Sequence, residues 1–132
     1  MRTIRFRGKR KDNGEWVYGD LRIREKEGWF YICEWQDVKW VSWIVIPETV
    51  GEYTGLKDKN DKEIFEGDIV DWYYDELGSG GEGITRHEYK KCEVFWHPEF
   101  AGLMLRTKDD FGAWHFYEDM AIEIIGNIHE AG

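Results

Sequence analysis

The chain has 132 residues, with 27 acidic and 18 basic side chains and a formal net charge of −9 when its four histidines are neutral. One domain is the expectation at this length, burying about two-thirds of the surface that the unfolded chain exposes, and 42% hydrophobic against 34% charged residues excludes disorder throughout. The acidic balance argues against non-specific nucleic-acid binding, whose affinity comes from phosphates neutralised by Lys and Arg, and no apolar run approaches the roughly 18 residues of a membrane helix.

Thr3 to Arg7 alternates, with Ile4 and Phe6 on one face and Arg5 and Arg7 on the other, as a half-buried strand does. The basic start Met1-Arg2-Thr3-Ile4-Arg5 is not followed by the apolar stretch of a signal peptide, so a soluble, cytoplasmic protein is expected. Asn13-Gly14 accepts the positive φ of a tight turn, and Trp16 to Ile23 is a strand bent at Gly19. The turn at 25–28 leads into a strand from Trp29 to Cys33. Glu34 to Trp43 holds Trp35, Trp40 and Trp43 among charged residues without a clean period, which predicts a loop leading to a strand. Ile44 to Ile46 is short and apolar, and Pro47 ends it.

Thr49 to Thr54 is the next strand candidate, followed by a polar turn at Asp58-Lys59-Asn60-Asp61. Glu63-Ile64-Phe65 then runs through Glu66-Gly67-Asp68 into an apolar strand from Ile69 to Tyr74. Residues 75–88 include a Gly-rich stretch with too little apolar content to order itself, which predicts a mobile loop. Lys91 to Trp96 alternates, with Cys92, Val94 and Trp96 facing one way. Gly102 to Thr107 and Ala113 to Tyr117 pair as a hairpin across Lys108 to Gly112, and Ile122 to Ile128 is a last strand interrupted by Gly126. About eight to ten short antiparallel strands with little helix predict a mainly β barrel or sandwich.

Arg2, Arg5, Arg7, Lys9, Arg10 and Lys11 place six bases and no acid in the first 11 residues, whereas only acids follow Lys108. The favoured reading makes the two ends neighbouring strands of one sheet, where opposite charges pair across the ladder. The alternative is a head-to-tail contact between copies. Cys33 and Cys92, 59 positions apart, are expected to be reduced, half-buried thiols.

The segment from Tyr53-Thr54-Gly55-Leu56-Lys57-Asp58-Lys59-Asn60 through Glu66-Gly67-Asp68-Ile69-Val70 resembles the YopX family, small proteins encoded by phages and prophages. Ile4-Arg5-Phe6-Arg7-Gly8, Asn13-Gly14-Glu15-Trp16-Val17-Tyr18-Gly19-Asp20-Leu21 and Ile125-Gly126-Asn127-Ile128 agree with it in the family's order. Asp61 departs from the pattern, which usually has Gly after Asn; Asp tolerates a left-handed backbone, so the turn is expected to survive with modest strain. The resemblance implies a single β domain over 1–132 with SH3-like barrel character, a phage or prophage origin and a bacterial cytoplasm. It marks Gly55, Asp58, Asn60, Glu66, Gly67, Asp68, Gly126 and Asn127 as structural motif positions and implies no catalytic residues.

Glu66 and Asp68 project to one face of an extended backbone with Asp71 nearby, a candidate Mg²⁺ set. Turn chemistry is the preferred explanation, with Gly67 supplying backbone freedom and Asp68 capping N–H groups. His87, Cys92, His97 and His115 lack the short spacings of zinc sites, and the odd spacing of Cys92 and His97 works against a nucleophile pair. Eight tryptophans and seven tyrosines serve a small β core first, a protein interface second and nucleic-acid stacking third. The sequence therefore predicts a non-catalytic protein-binding module without a cofactor, self-associating or taking a host or phage protein, with Trp35, Trp40 and Trp43 as its binding surface. Two alternatives are a metal-dependent enzyme acting on nucleotides or nucleic acid through Glu66, Asp68 and Asp71, and a single-stranded nucleic-acid binder.

Overall fold

The computed structural model describes residues 4–107, 113–116 and 120–130. The protein is mainly β, as its sequence predicts, with 65% strand and 5% helix in two antiparallel sheets. Two compact units divide the chain, Met1–Gly55 and Leu56–Gly132.

The first unit contains β1 (Phe6–Lys9), β2 (Trp16–Arg24), β3 (Trp29–Gln36), β4 (Lys39–Val45), a single 3-10 turn at Pro47–Thr49, and the start of β5 (Gly51–Lys57). Its strands are ordered β4-β3-β2-β1-β5, with every neighbour antiparallel. Period-two alternation puts Ile32 and Val45 into the interior, where both are almost completely buried. Gly8 is small because Val45 lies over it: an added Cβ would sit 3.0 Å from the Val45 Cβ. The Thr49 hydroxyl accepts the Lys9 amide at 2.9 Å and donates to the Ile46 carbonyl at 2.6 Å, fixing the 3-10 turn to β1. The sheet curls until Arg10 and Val45 form an isolated antiparallel bridge. Neither sheet closes into the SH3-like barrel that the resemblance implies.

The expected loop over Glu34 to Trp43 is instead a tight hairpin, paired continuously from Phe30↔Val45 to Gln36↔Lys39. Its two-residue turn is Asp37 at φ 42° and Val38 at φ 66°. Positive φ at both central positions matches the twist of the flanking strands, a geometry normally announced by Asn-Gly or Gly. Val gives no such signal, so the sequence pattern conceals the turn.

The second unit contains β6 (Glu63–Phe65), β7 (Asp68–Leu77), β8 (Ile84–His97), β9 (Gly102–Arg106), β10 (Ala113–Trp114) and β11 (Ala121–Asn127). One sheet has the order β10-β9-β8-β7-β11. Its core is Ile64, Val70, Trp72, Cys92, Val94, Leu105 and Ile122, with Tyr89 and Trp114 packed against it. Each large apolar side chain buried there contributes about 1.5–3 kcal/mol. A bulge sets Lys90 and Lys91 opposite Asp71, between the pairs Val70↔Cys92 and Trp72↔Tyr89. Lys91 takes φ 53° and gives its amide to Asp71 Oδ1 at 2.9 Å. The extra residue shifts the alternation of β8, so both Cys92 and Tyr89 pack with the core.

Strand pairing also extends into the segment predicted to be a loop. β7 runs to Leu77 and β8 begins at Ile84, leaving 78–83 as the turn. Arg86 grips Asp75 with two hydrogen bonds, at 2.8 and 3.1 Å, and lies 4.0 Å from the Tyr73 ring centre, while His87 meets Glu76 at 2.9 Å. These cross-strand pairs supply the order that the weak apolar content does not. β11 pairs with β7 only as far as Tyr73, so among the described residues 74–77 and 84–87 form a two-stranded ribbon.

The chain ends are not neighbouring strands: β1 lies between β2 and β5, and β11 pairs with β7. β9 and β10 pair as expected, through Arg106↔Ala113 and Leu105↔Trp114. The intervening Lys108 to Gly112, and Tyr117, lie outside the described residues.

Candidate functional site

Trp35 and Trp40 face each other across the β3–β4 ladder, with ring centres 5.4 Å apart and planes at 71°. An edge-to-face pair of this kind adds about 0.5–1.5 kcal/mol beyond its buried area. More than half of each indole is open, 56% and 57%, and Val38 at the adjoining tip is 87% exposed. A β-branched residue at positive φ is a strained conformation, which concentrates at binding surfaces and switches. β4 also ends its sheet. The hairpin therefore combines exposed aromatic bulk with a strained tip and an edge strand.

Trp43 is separated from that pair by the alternation of the strand. It stands opposite Ile32, is half-buried, and with Arg10, Lys11, Asp12, Ser42 and Ile44 lines a cleft of about 350 Å³. The structure thus joins two of the three predicted tryptophans and places the third on the other side of the ladder.

The face that carries Trp35 and Trp40 continues over β3 and β2, where Tyr31 stands opposite Arg22 and Trp29 opposite Arg24. Basic groups lie on aromatic rings throughout this unit: Arg5 on Tyr18 at 5.3 Å, Arg7 on Trp16 at 4.6 Å, Lys11 on Trp29 at 4.8 Å and Arg24 on Tyr31 at 5.9 Å. All are within the reach of cation–π attraction. Sequence reasoning passed over Arg22, Arg24, Trp29 and Tyr31; their signal is the matched alternation of bases and rings on strands that pair in register. Charge also divides between the units. Ten bases against nine acids leave the first at +1, while eight against eighteen put the second at −10.

The motif residues gather around turns. Asp58 Oδ1 accepts the amides of Asn60 and Lys62 at 2.8 and 3.0 Å, and Oδ2 accepts that of Ile124 at 3.1 Å. Burial raises the Asp58 pKa, but these three donors outweigh it and hold the carboxyl below its ordinary value. Asp61 takes φ 65° and gives its amide to the Asp58 carbonyl at 3.0 Å, the left-handed turn expected of it. Gly55 has φ 87°. Gly67, at φ 93°, donates to the Val94 carbonyl at 2.8 Å and accepts from the Ile128 amide at 2.9 Å. Asp68 is buried and accepts the Phe65 amide at 2.8 Å across the 66–67 turn, with Glu66 half-buried beside it. Gly126 follows an irregularity in β11, and Asn127 accepts the His129 amide and donates to Glu130, both at 2.9 Å.

Glu66, Asp68 and Asp71 are not gathered into a ligand set: Asp68 and Asp71 are turned onto backbone amides, and among the described residues no three His, Cys, Asp or Glu side chains form a metal-binding group. His87 stacks on Tyr74 at 4.7 Å, while His97 and His115 flank Phe100 at 4.8 and 5.3 Å. Cys33 and Cys92 are free and buried, and burial pushes the Cys92 thiol pKa up, away from a nucleophilic thiolate. In the second unit, a polar cleft of about 160 Å³ holds Lys59 and Lys90, each facing a carboxylate: Glu123 at 2.8 Å and Asp71 at 3.7 Å. No helix among the described residues is long and apolar enough to cross a membrane.

The model of the family described as YopX protein matches residues 5–132, nearly the whole chain. Comparison with curated proteins finds no match.

Proposed function

The chain belongs to the YopX family, and from that premise we propose that it is a phage or prophage accessory protein of the bacterial cytoplasm, a non-catalytic module that binds protein and self-associates. The observation that carries this reading is the open Trp35–Trp40 pair beside the strained tip of an edge hairpin. Two half-exposed indoles on a rigid ladder offer a large apolar contact with little side-chain entropy left to lose, as interface anchors do. Where Lys9 to Lys11 do not already pair with residues 44–46, the part of the edge strand nearest the turn adds main-chain donors and acceptors that a second chain can pair. We read the curled sheet of the first unit as an opened SH3-like barrel serving as scaffold for that hairpin.

Light scattering over a concentration series tests the reading. The wild-type protein is expected to gain mass with concentration, and the Trp35→Thr/Trp40→Thr variant to remain monomeric and folded, with a melting temperature lowered by only a few degrees through loss of the ring pair. A wild-type mass that stays monomeric at every concentration contradicts self-association.

The rings and bases of the same face favour single-stranded nucleic acid as a second reading. Against it, many of these cations already lie on the unit's own rings, and that unit has a net charge of only +1. Its mark is affinity for an oligonucleotide that falls steeply with salt.

A further inference from the structure

The β7–β8 ribbon ends in an unusual apolar pair. Leu77 and Ile84 face each other across its last rung, 79% and 65% exposed, next to the turn at 78–83. Glu82 in the turn and Glu88 below are exposed as well, and Arg86, which lies between Ile84 and Glu88 on that face, is already paired with Asp75, so the margin is acidic on balance. Nothing in the ribbon's own packing requires two aliphatic side chains there, since neither belongs to the core of the unit. An apolar tip with an acidic margin fits a surface of the opposite make-up: aromatic, with a basic margin. The first unit has such a surface, where exposed Arg22 and Arg24 share a sheet face with Trp29, Trp35 and Trp40. Asp20 is the acid in that row of β2.

We infer that the ribbon tip of one copy docks on the basic aromatic face of the first unit in a second copy. The inference rests on the self-association proposed above and gives it a direction. The occupant is a second copy because both complementary surfaces are present on every chain, the basic row of Arg22 and Arg24 on one unit and the exposed Glu82 and Glu88 on the other. Leu77 and Ile84 lie against the open indoles, and Glu82 and Glu88 meet Arg22 and Arg24. The two surfaces differ, so the contact is head-to-tail: it generates a ring if the rotation between copies closes and a filament if it does not. Opposite charges at the margin fix the register and make association sensitive to salt.

Charge-swap complementation in the full-length protein tests this. The face variant is Arg22→Glu/Arg24→Glu and the tip variant is Glu82→Lys/Glu88→Lys; all four side chains are exposed, and equal melting temperatures confirm the folds. Each variant alone is expected to associate at least tenfold more weakly than wild type in light scattering. Their equimolar mixture is expected to regain the wild-type mass, because the basic tip then meets the acidic face. A third variant, Leu77→Thr/Ile84→Thr, changes no charge and is also expected to lose association. Wild-type protein that associates while the variants associate equally well, or while the mixture fails to recover, overturns the docking and leaves self-association standing. Wild-type protein that never associates overturns both. A monomer that binds oligothymidylate through Arg22 and Arg24 overturns both in favour of nucleic acid.

Discussion

Replacing Asp58 tests how the second unit is held together. Its carboxylate receives three backbone amides, two from its own turn and one, Ile124, from β11. Hydrogen bonds to a charged acceptor contribute about 1.5–3 kcal/mol each, and a buried amide left without a partner costs about 1–3 kcal/mol. Asp58→Asn keeps one oxygen for Asn60 and Lys62 but turns an NH₂ toward the Ile124 N–H, so it is expected to cost about 2–3 kcal/mol. Asp58→Ala removes all three bonds and is expected to cost on the order of 4 kcal/mol, much of the 5–15 kcal/mol typical of a whole domain. The pH dependence has a definite sign. Because the folded carboxyl titrates below its ordinary value of 3.8, its contribution is complete above that value and is lost as pH falls through the folded pKa. Urea unfolding of wild type and Asp58→Asn at several pH values measures both effects. The gap between the two proteins should be full near neutrality and shrink in acid. A gap under about 0.5 kcal/mol near neutrality, or one unchanged in strong acid, refutes the assigned role.

Gly67→Ala places a Cβ at φ 93°, 3.4 Å from His129 Nε2, at a residue hydrogen-bonded on both sides; a loss of about 1–3 kcal/mol in urea unfolding is expected. Val38→Asn keeps the exposed turn and relieves a β-branched residue at φ 66°, so it is expected to raise stability by about 1 kcal/mol, read as a higher melting temperature. Cys33 and Cys92 are buried, and the Cys92 thiol pKa is pushed up; a thiol reagent is expected to label both only as fast as the protein unfolds, and rapid labelling in native buffer would count against this packing.

Several strands with a strong period were legible in the sequence, but Thr3 to Arg7 was not, since β1 begins at Phe6 with Arg7 buried and Ile4 exposed, and the features set by pairing were not legible either. Lys91 to Trp96 showed its buried face through Cys92 and Val94, but the bulge opposite Asp71 left no local trace because its positive φ falls on a lysine. The hairpin at Asp37-Val38 was hidden for the same reason. At the ribbon, a Gly-rich composition suggested a loop, whereas order comes from Arg86 with Asp75 and His87 with Glu76, partners 11 residues apart that only the register brings together. Of the candidate site, Trp35 and Trp40 stood out by their bulk. That Trp43 faces the other way, and that Arg22 and Arg24 share the indoles' face, depends on how three strands align.

Hydrogen exchange of the wild-type protein at low and high concentration tests the central claim most directly, since it reports where copies meet as well as whether they do. The account predicts that amides of 37–43 and of the ribbon tip at 77–84 gain protection as concentration rises, while those of the buried strands at 69–73 and 92–94 are unchanged. Equal exchange in 37–43 at both concentrations, in a sample whose mass has increased, would contradict it.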